Sequence, residues 1–406
     1  MEKIGIIGAG ASGVFTAINA KNENNDISLI EKKEQIGKKL FITGKGRCNI
    51  TNAKVYDDFL SNIVVNKKFM YSSFTNFDNF SLMDFIEENG LKLDIQRGDR
   101  VFPKSEKSND VIKLFERLIK KNKINLKLNE EVKSVKKNGK FIVKTNKKSY
   151  EFDKLVIATG GLSYPLTGST GDGYKFAKNF SHKIVDPRPG LCPIKIKDKD
   201  LVPLNGISLK NVSLKVKTSK KEIEEFGDML FGKDFITGPI VLTMSSLINK
   251  EKVKKISIDL KPALDFEKLD KRIIRDVEKD SNKDIKNVLK NLLLNAFVDI
   301  VLKRSNISPH VKANQLKKEQ RHKLIDVIKN FSIEYKSLAD IKNAIITSGG
   351  IACDEINPKS MESRLISNLY FVGEVLDVDA LTGGYNLQLA FSQAKACADD
   401  LRRKDG

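Results

Sequence analysis

The segment Gly8-Ala9-Gly10-Ala11-Ser12-Gly13 constrains the fold of this chain more than any other part of its sequence. Residues 3–7 before it form a short apolar run that predicts a buried strand, and the apolar residues after it predict a helix to about Ala20. Residues 26–30 predict a second strand, which ends at Glu31. A strand, a GxGxxG turn, a helix and a strand that ends in an acidic residue together predict a β-α-β unit that binds a dinucleotide.

Each glycine of this turn has its own predicted role. Gly8 permits the tight turn, Gly10 lets a pyrophosphate approach the backbone, and Gly13 lets the helix pack closely on the strand. The helix begins at the end of the turn, so its free N–H groups and positive dipole end would face the phosphates. Glu31 follows Gly13 by 18 residues, near the spacing of about 20 at which a carboxylate binds the adenosine ribose.

Basic residues among glycines follow this unit, in Gly37-Lys38-Lys39-Leu40 and in Gly44-Lys45-Gly46-Arg47-Cys48-Asn49. Lysine and arginine in such loops suit a diphosphate or a flavin carbonyl. Because the segment comes directly after Glu31, we expect it to run beside the bound dinucleotide. Cys48 has two interpretations, a reactive thiol near the bound cofactor or a buried spectator, and the second is favoured.

Two later strands also end in glycine. The apolar run Leu155-Val156-Ile157-Ala158 ends in Thr159-Gly160-Gly161, which is typical of a parallel strand whose carboxyl end faces a ligand crevice. The glycine loop over residues 168–173 lacks the GxGxxG order and an acidic partner one strand later, so a separate tight NAD(P) domain is not predicted.

The last strand, Phe371-Val372, ends in Gly373-Glu374, and Gly384-Tyr385-Asn386-Leu387 opens a helix. The N-terminus of that helix can stabilise the negative charge of a reduced flavin. Tyr164 and Tyr385 border the glycine loops and are candidate proton donors, or they pack on the flavin ring. The sequence assigns no catalytic residue.

Composition restricts the other function classes. The chain has 406 residues with a hydrophobic fraction of 40%, which suits two or three packed subdomains. No apolar run approaches the roughly 20 residues of a membrane helix, so a membrane association is not expected and the expected location is the cytoplasm. The four cysteines form no CxxC pair and the chain has three histidines, so no metal site is predicted.

The net charge of +20 has two interpretations. A basic surface collects phosphates and indicates a nucleic-acid partner. Against this, lysine-rich stretches at residues 215–221 and 250–255 alternate with acids and apolar residues, which is typical of a solvated surface. The second interpretation is favoured, and a nucleic-acid partner is the alternative.

The ordered motifs resemble the BaiN-like (YhiN, aminoacetone-oxidase-type) family of FAD flavoproteins. They run GAGASG, GKKL, GKGRCNITN, ATGGLSYPLTGSTGDGY, GPIVLTMS, TSGGIACDEI, MES and GEVLDVDALTGGYNLQLA, from Gly8 to Ala390. The resemblance implies an α/β fold: a Rossmann-type, glutathione-reductase-like FAD-binding domain with an inserted β-barrel and helical part. It also implies non-covalent FAD and places Val132 on a strand beside the adenine.

We expect residues 1–188 to form the first part of the FAD-binding domain, residues 189–342 an inserted substrate or cap domain, and residues 343–406 the second part. Together with the motifs, the resemblance predicts the cofactor-contacting positions. These are Gly8, Gly10, Ala11, Ser12, Gly13, Glu31, Lys32, Lys39, Leu40, Gly46, Arg47, Cys48, Asn49, Val132, Thr159, Gly160, Gly161, Gly373, Glu374, Asp377, Gly384, Tyr385, Asn386 and Leu387.

The resemblance implies an FAD-dependent oxidoreductase, because members of this family are associated with reduction of conjugated steroid or bile-acid enones and with amine oxidation. The predicted reaction is reduction of a C=C bond in a small organic enone, with NAD(P)H as a transient hydride donor. The alternatives are a flavin amine oxidase, an RNA-binding or tRNA-modifying flavoprotein, and a flavin-binding protein without turnover. The sequence leaves open the substrate, the choice between NADH and NADPH, and the oligomeric state.

Overall fold

The computed structural model of the protein describes residues 1–403. The chain divides into two compact units, one formed by Met1–Gly190 with the chain from Asp340 onward, the other by Leu191–Ala339. The sequence places the insert at residues 189–342. The second unit starts two residues later, because a strand of the first unit continues to Gly190, and it ends three residues earlier. The predicted last segment reaches residue 406, and residues 404–406 lie outside the described part.

The first unit begins with short strands and helices that alternate along the chain. Its strands up to the insert are β1 (Glu2–Ile7), β2 (Asn25–Ile30), β3 (Thr51–Asn52), β4 (Ile63–Val65), β5 (Leu93–Gln96), β6 (Arg100–Pro103), β7 (Asn125–Lys127), β8 (Val132–Asn138), β9 (Lys140–Thr145), β10 (Ser149–Phe152), β11 (Lys154–Ile157) and β12 (Ile184–Gly190). Its helices over the same part are α1 (Ala11–Ala20), α2 (Lys38–Ile42), α3 (Tyr56–Ser61), α4 (Lys67–Asn76), α5 (Asn79–Glu88), α6 (Ser108–Lys121) and α7 (Asp172–Asn179).

The second unit combines an antiparallel sheet with helices. Its strands are β13 (Ile194–Ile196), β14 (Ser208–Thr218), β15 (Glu222–Phe231), β16 (Phe235–Thr237), β17 (Val253–Asp259), β18 (Phe331–Ile333) and β19 (Tyr335–Leu338). Its helices are α8 (Pro239–Ile248), α9 (Phe266–Lys279), α10 (Ile285–Leu289), α11 (Asn295–Arg304) and α12 (Lys318–Lys329). The chain then returns to the first unit with β20 (Ile346–Ile351), β21 (Leu369–Phe371), β22 (Asp379–Ala380) and α13 (Tyr385–Arg402).

A parallel sheet in the order β21-β11-β1-β2-β7 organises the first unit. Ile6 of β1 lies opposite Val156 of β11 and Leu29 of β2, and all three side chains are buried. Strands of this kind are apolar throughout because parallel sheets are covered on both faces. The carboxyl ends of parallel strands meet at one edge, so the residues after β1, β2, β11 and β21 come together there.

Aromatic rings fill the core between α1 and the carboxy-terminal helix α13. The ring of Phe15 on α1 contacts Phe77, Phe85 and Phe391 at centroid distances of 5.4, 4.9 and 5.0 Å. Such tilted and edge-to-face pairs contribute about 0.5–1.5 kcal/mol each beyond area burial. This packing explains why apolar residues recur at helical spacing in α13. It also fixes the positions of α1 and α13, each of which begins next to a glycine segment.

The sheet of the second unit has the order β18-β17-β14-β15-β16-β13-β19, and all its neighbouring strands are antiparallel. Phe297 of α11 packs against Phe231 and Phe331 of the sheet at centroid distances of 5.7 and 5.5 Å. The unit therefore has its own apolar core.

The residue pattern predicts a strand over residues 127–136 and helical stretches over residues 66–89 and 266–304, and the structure divides each of them. The predicted strand at residues 127–136 is two strands, of which β7 joins the parallel sheet and β8 starts an antiparallel meander. The predicted helical stretch at residues 66–89 is two helices, because the side chain of Asp78 accepts a hydrogen bond from Ser81 N at 2.7 Å and caps α5. The helical stretch at residues 266–304 is interrupted by the polar run 280–284, whose residues favour turns.

A buried histidine makes the stability of the first unit depend on pH. The Nδ1 atom of His182 lies 3.0 Å from Glu355 Oε2, and Nε2 lies 2.9 Å from Ser363 Oγ. Ser363 Oγ accepts from the backbone N–H of Leu365 and Ile366 at 3.1 and 3.0 Å, so the hydroxyl donates to Nε2 and Nδ1–H donates to Glu355. Burial lowers the pKa of His182 from its ordinary value of 6.5.

We expect the free energy of unfolding to fall as the pH is lowered through 6.5, because the unfolded chain then takes up a proton that folded His182 does not. Above that pH, this contribution is fully present. Urea titrations at several pH values measure it. The His182→Gln variant should lose this pH dependence, whereas His322→Gln, at a side chain 41% exposed, should keep it. An unchanged slope in the His182 variant would contradict the assignment.

Candidate functional site

The glycine turn after β1 contains two kinds of glycine, which differ in the space around them. Gly8 has a φ of +102°, and a Cβ there would lie 2.5 Å from Ala158 O. A Cβ on Gly13 would lie 1.9 Å from Gly8 O, so α1 packs directly on the turn. A Cβ on Gly10 would meet no protein atom within 4 Å. Gly8 and Gly13 are thus required by the fold of the protein itself, whereas Gly10 borders open space.

The N-terminus of α1 offers free hydrogen-bond donors beside that open space. Gly10 is its N-cap residue and supplies no side-chain cap. The first bond within the helix runs from Val14 N to Gly10 O at 3.0 Å, which leaves the N–H groups of residues 11–13 without an acceptor in the helix. This arrangement suits a phosphate group.

Glu31 supports the turn through both carboxylate oxygens. Its Oε2 accepts from Ala9 N at 2.8 Å and its Oε1 from Lys33 N at 2.9 Å. Burial raises the pKa of Glu31, and these two backbone hydrogen bonds oppose the shift. Each oxygen keeps a lone pair, so binding of a ribose by Glu31 stays a prediction. Lys32 beside it forms an ion pair with Asp172 at 2.6 Å.

A polar network joins four segments that are distant in sequence, at the same sheet edge. Lys39 Nζ lies 2.5 Å from Glu374 Oε2 and 2.5 Å from Ser163 Oγ. Glu374 Oε1 accepts from Thr347 N at 2.8 Å and from Ser163 Oγ at 2.9 Å. A Cβ on Gly161 would lie 2.4 Å from Thr347 Oγ1, so glycine is needed for this close approach.

The sequence analysis predicted Lys39 and Glu374 for this place and missed Ser163 and Thr347. Both missed residues lie inside quoted motifs, Ser163 two residues after Gly161 and Thr347 in the segment TSGG. No spacing rule connects them, because β20 reaches the site through its pairing with β12.

The turn after β21 lies directly against the N-terminus of α1. A Cβ on Gly373 would lie 2.4 Å from Ser12 Oγ, and Ser12 Oγ donates to Val372 O at 3.4 Å. Gly373 N donates to Gln393 Oε1 of α13 at 2.7 Å. The structure therefore brings the first glycine turn into contact with the Gly373-Glu374 segment.

The residues of the second basic loop, Gly44 to Asn49, have two kinds of environment. Arg47 turns to Glu106 at 3.1 Å and lies over the ring of Phe102 at 4.4 Å. Gly46 has a φ of +83°, with no protein atom within 4 Å of a Cβ placed there. The buried Asn49 Oδ1 has no hydrogen-bond partner among the described residues. Gly46 and Asn49 therefore have free space and a free acceptor, whereas Arg47 is already bound to protein groups.

Cys48 is a spectator in this structure. It is fully buried, and burial raises the pKa of its thiol to about 12. We expect no reaction of Cys48 with iodoacetamide in the native protein at neutral pH, because the thiolate is the reactive form. Mass spectrometry of tryptic peptides measures the labelling, and the same reaction in denaturant serves as its positive control. Rapid native labelling of Cys48 would show that the loop opens.

The start of α13 is fixed by its glycine and its asparagine. Gly384 has a φ of +102°, and a Cβ there would lie 2.3 Å from Thr51 O. The side chain of Asn386 accepts from Ala380 N at 2.9 Å and donates to Ala380 O at 2.8 Å. Tyr385 is 3% exposed and packs on Phe59 at 4.9 Å, which favours packing over proton donation.

The remaining predicted positions lie around these groups. Leu40 is buried in the core. Val132 begins β8 two residues after Glu130, whose N–H donates to Glu31 O at 2.9 Å just beyond the end of β2. Asp377 is buried and accepts from Asn66 Nδ2 at 3.2 Å. Thr159 Oγ1 is buried without a hydrogen-bond partner among the described residues, and Gly160 follows with a φ of +72°. Leu387 is partly buried in the first turn of α13.

These features fit FAD. The open space at Gly10, the free N–H groups of α1 and the unpaired acceptor of Asn49 are those that a dinucleotide with a polar ring system would use. Residues 10–13 would hold the pyrophosphate, Glu31 the ribose, and the N-terminus of α13 the flavin. No group of histidine, cysteine, aspartate and glutamate within residues 1–403 could hold a metal ion. Among the same residues no helix is both long and apolar enough to cross a membrane.

A Rossmann unit with these features defines the protein as an FAD-dependent oxidoreductase, and comparison with known proteins agrees. The chain belongs to the family described as "HI0933-like protein Rossmann domain", which matches residues 2–400. This confirms the family resemblance and the Rossmann-type fold class inferred from the ordered motifs.

At least three relatives match over nearly the full length. The chain is 28% identical to the 3-dehydro-bile acid delta(4,6)-reductase of Clostridium scindens over 97% of both chains. It is 30% identical to the ribosomal RNA dihydrouridine synthase of Haemophilus influenzae over 98% of both. Among solved structures, 3-ketosteroid delta1-dehydrogenase from Sterolibacterium denitrificans is similar in fold, with a TM-score of 0.51 at 11% identity, covering 99% of this chain and 100% of the other.

Proposed function

We propose that this protein is an NAD(P)H-driven, FAD-dependent reductase of a carbon–carbon double bond conjugated to a carbonyl group. Gly10, the N-terminus of α1 and the Lys39–Glu374 pair meet at one sheet edge through the contact of Ser12 with the turn after β21, and this arrangement carries the proposal. The names of these relatives, a bile-acid delta(4,6)-reductase and the ribosomal RNA dihydrouridine synthases, support this reaction, since each fits the saturation of a ring double bond.

Bound FAD would supply hydride transfer from a nicotinamide to the electron-poor double bond. The protein would hold the pyrophosphate with the free N–H groups at α1. Lys39 would place positive charge near the polar side of the flavin, and Glu374 and Ser163 would hold Lys39 in position. The N-terminus of α13 would stabilise negative charge on the reduced flavin.

The first candidate substrate is a small conjugated enone such as a steroid or bile-acid derivative. The Clostridium scindens relative favours it. Of the two tyrosines considered as proton donors, Tyr164 is half-buried and Tyr385 is buried, so Tyr164 is the better candidate. We place the protein in the cytoplasm, where NAD(P)H is supplied.

The second candidate substrate is a uracil base in RNA, whose C5=C6 bond is conjugated to the C4 carbonyl. The net charge of +20 favours it, because phosphates dominate the affinity of proteins for RNA. The relative from Haemophilus influenzae also favours it. Both candidates need the same flavin chemistry and differ in how the substrate is held.

Anaerobic mixing of the yellow holoprotein with NADH or NADPH tests the reaction. We expect one nucleotide to bleach the flavin, and a steroid enone or a uridine-containing RNA to restore the oxidised spectrum. Analysis of the product by mass spectrometry should find two added hydrogens. If neither nucleotide bleaches the flavin but an amine does, the reductase proposal is wrong and an amine oxidase replaces it.

A further inference from the structure

The second unit brings two lysine-rich stretches of the chain together on one edge of its sheet. We call this surface the lysine edge. It consists of the exposed residues Lys217, Lys220, Lys221, Lys250, Lys252, Lys254 and Lys255. The sequence places them in two groups about 30 residues apart, each of which by itself is typical of solvated surface.

Strand pairing joins the two groups. β14 and β17 are antiparallel neighbours, with Lys217 directly opposite Lys255. The turn after β14 is fixed to the start of β17, because Ser219 N donates to Lys252 O at 3.0 Å. Thr218 Oγ1 accepts from the N–H groups of Lys220 and Lys221 at 3.2 and 3.0 Å. The lysines therefore project from a backbone that is held in place.

Four glutamates within residues 215–225 and 249–257 offset part of this charge, and one of them, Glu224, pairs with Lys215 outside the edge. Glu251 pairs with Lys220 at 3.5 Å, and Glu222 lies opposite Lys217 on β15. The side chains of the other six lysines make no hydrogen bond or ion pair with any residue of the described chain. Like charges directly opposite each other on neighbouring strands are destabilising, so a bound polyanion would relieve the repulsion between Lys217 and Lys255.

The second unit as a whole also has an excess of basic over acidic residues. Residues 191–339 contain 31 lysines and arginines against 20 aspartates and glutamates. The excess accounts for more than half of the net charge of +20, although the second unit makes up little more than a third of the chain. The basic character is thus concentrated in the insert, while the predicted flavin site lies in the first unit.

We propose that the lysine edge binds the sugar–phosphate backbone of RNA. Lysine ammonium groups act as point charges for phosphates, with no need for a specific base. Basic clusters also attract anionic lipids, but a surface that inserts into a membrane adds apolar side chains between the charges. Residues 215–225 and 249–257 contain no exposed large hydrophobic residue, and Phe226 on β15 is the nearest one in sequence. The inference rests on the proposed function and deepens it, because it selects RNA as the molecule that carries the base to be reduced.

Three lysines of the edge and three matched lysines elsewhere provide the test. The edge variant replaces Lys217, Lys221 and Lys255 with alanine. The control variant replaces Lys113, Lys120 and Lys121, which are also exposed and lie on α6 of the first unit. Both variants lose the same charge, and flavin content and thermal melting check that both fold. The probe is a fluorescein-labelled, uridine-rich single-stranded RNA, followed by fluorescence anisotropy over a range of salt concentrations.

We expect the edge variant to bind the RNA about 10-fold or more weakly at moderate salt. The slope of log affinity against log salt should fall by about 2, since each lost phosphate contact removes about 0.7 for a single strand. The control variant should change affinity less than about 2-fold, because exposed charges beyond a Debye length are screened. Equal losses in both variants would mean that net charge alone binds RNA and would overturn the inference.

Two further outcomes separate this inference from the proposed function. If the wild-type protein binds phosphatidylserine vesicles but not the RNA, the lysine edge is not an RNA surface, although turnover of a small enone would still support the reductase. If RNA binds through the edge but no nucleotide bleaches the flavin, the inference stands and the reductase proposal is wrong. Anisotropy needs no turnover, so the two results are independent.

Discussion

Replacement of Gly13 by alanine is expected to abolish flavin binding and to destabilise the protein. The added Cβ would lie 1.9 Å from Gly8 O and 3.1 Å from the Ala158 side chain. A backbone carbonyl cannot move as a flexible side chain can, so α1 must shift away from the glycine turn. Overpacking typically costs about 1–3 kcal/mol, and a contact this short should cost at least the upper end of that range. Urea unfolding of the flavin-free protein measures the loss.

Gly10→Ala is the matched control for this variant. A Cβ at Gly10 meets no protein atom within 4 Å, so we expect the flavin-free variant to unfold at nearly the wild-type urea concentration. The same Cβ would occupy the space beside the free N–H groups, so flavin affinity should still fall. The ratio of flavin absorbance to protein absorbance after purification measures it. Wild-type flavin content in Gly10→Ala would contradict the assignment of this turn to the cofactor.

Replacement of Glu374 by alanine should have the second largest effect. The change removes the acceptor of Thr347 N and the partner of both Lys39 and Ser163. A buried donor left without a partner costs about 1–3 kcal/mol, and Thr347 is 1% exposed. We therefore expect a marked loss of stability together with weaker flavin binding. Thermal melting of the flavin-free protein and fluorescence titration with FAD measure the two effects.

Glu374→Gln separates the hydrogen bonds from the charge. The amide oxygen can still accept from Thr347 N, while the ion pair with Lys39 is lost. The two side chains of the pair are 25% and 23% exposed, and pairs with such exposure contribute up to about 1 kcal/mol. A double-mutant cycle with Lys39→Met should give a coupling energy of that order. If Glu374→Gln is as unstable as Glu374→Ala, the charge and not the Thr347 hydrogen bond fixes the loop.

The site was predictable where its chemistry is local. The roles predicted for Gly8 and Gly13 in the turn follow from backbone angles and Cβ contacts within a few residues, and the structure has both. Lys39 and Glu374 were identified separately, each beside glycines in its own motif. Their contact with Ser163 and Thr347 was not predictable, because those partners lie 124 and 27 residues away from them in sequence.

The sequence by itself determined the dinucleotide turn, because a glycine turn between an apolar strand and a helix has few alternative structures. The ordered motifs from Gly8 to Ala390 indicated the family and, with it, the flavin. Only the tertiary structure decided which glycine leaves space for a ligand and which is filled by the protein. It also placed Lys217 opposite Lys255 across β14 and β17. Strand pairing of this kind depends on which apolar faces are buried together, so two stretches that look like ordinary solvated surface become one basic edge.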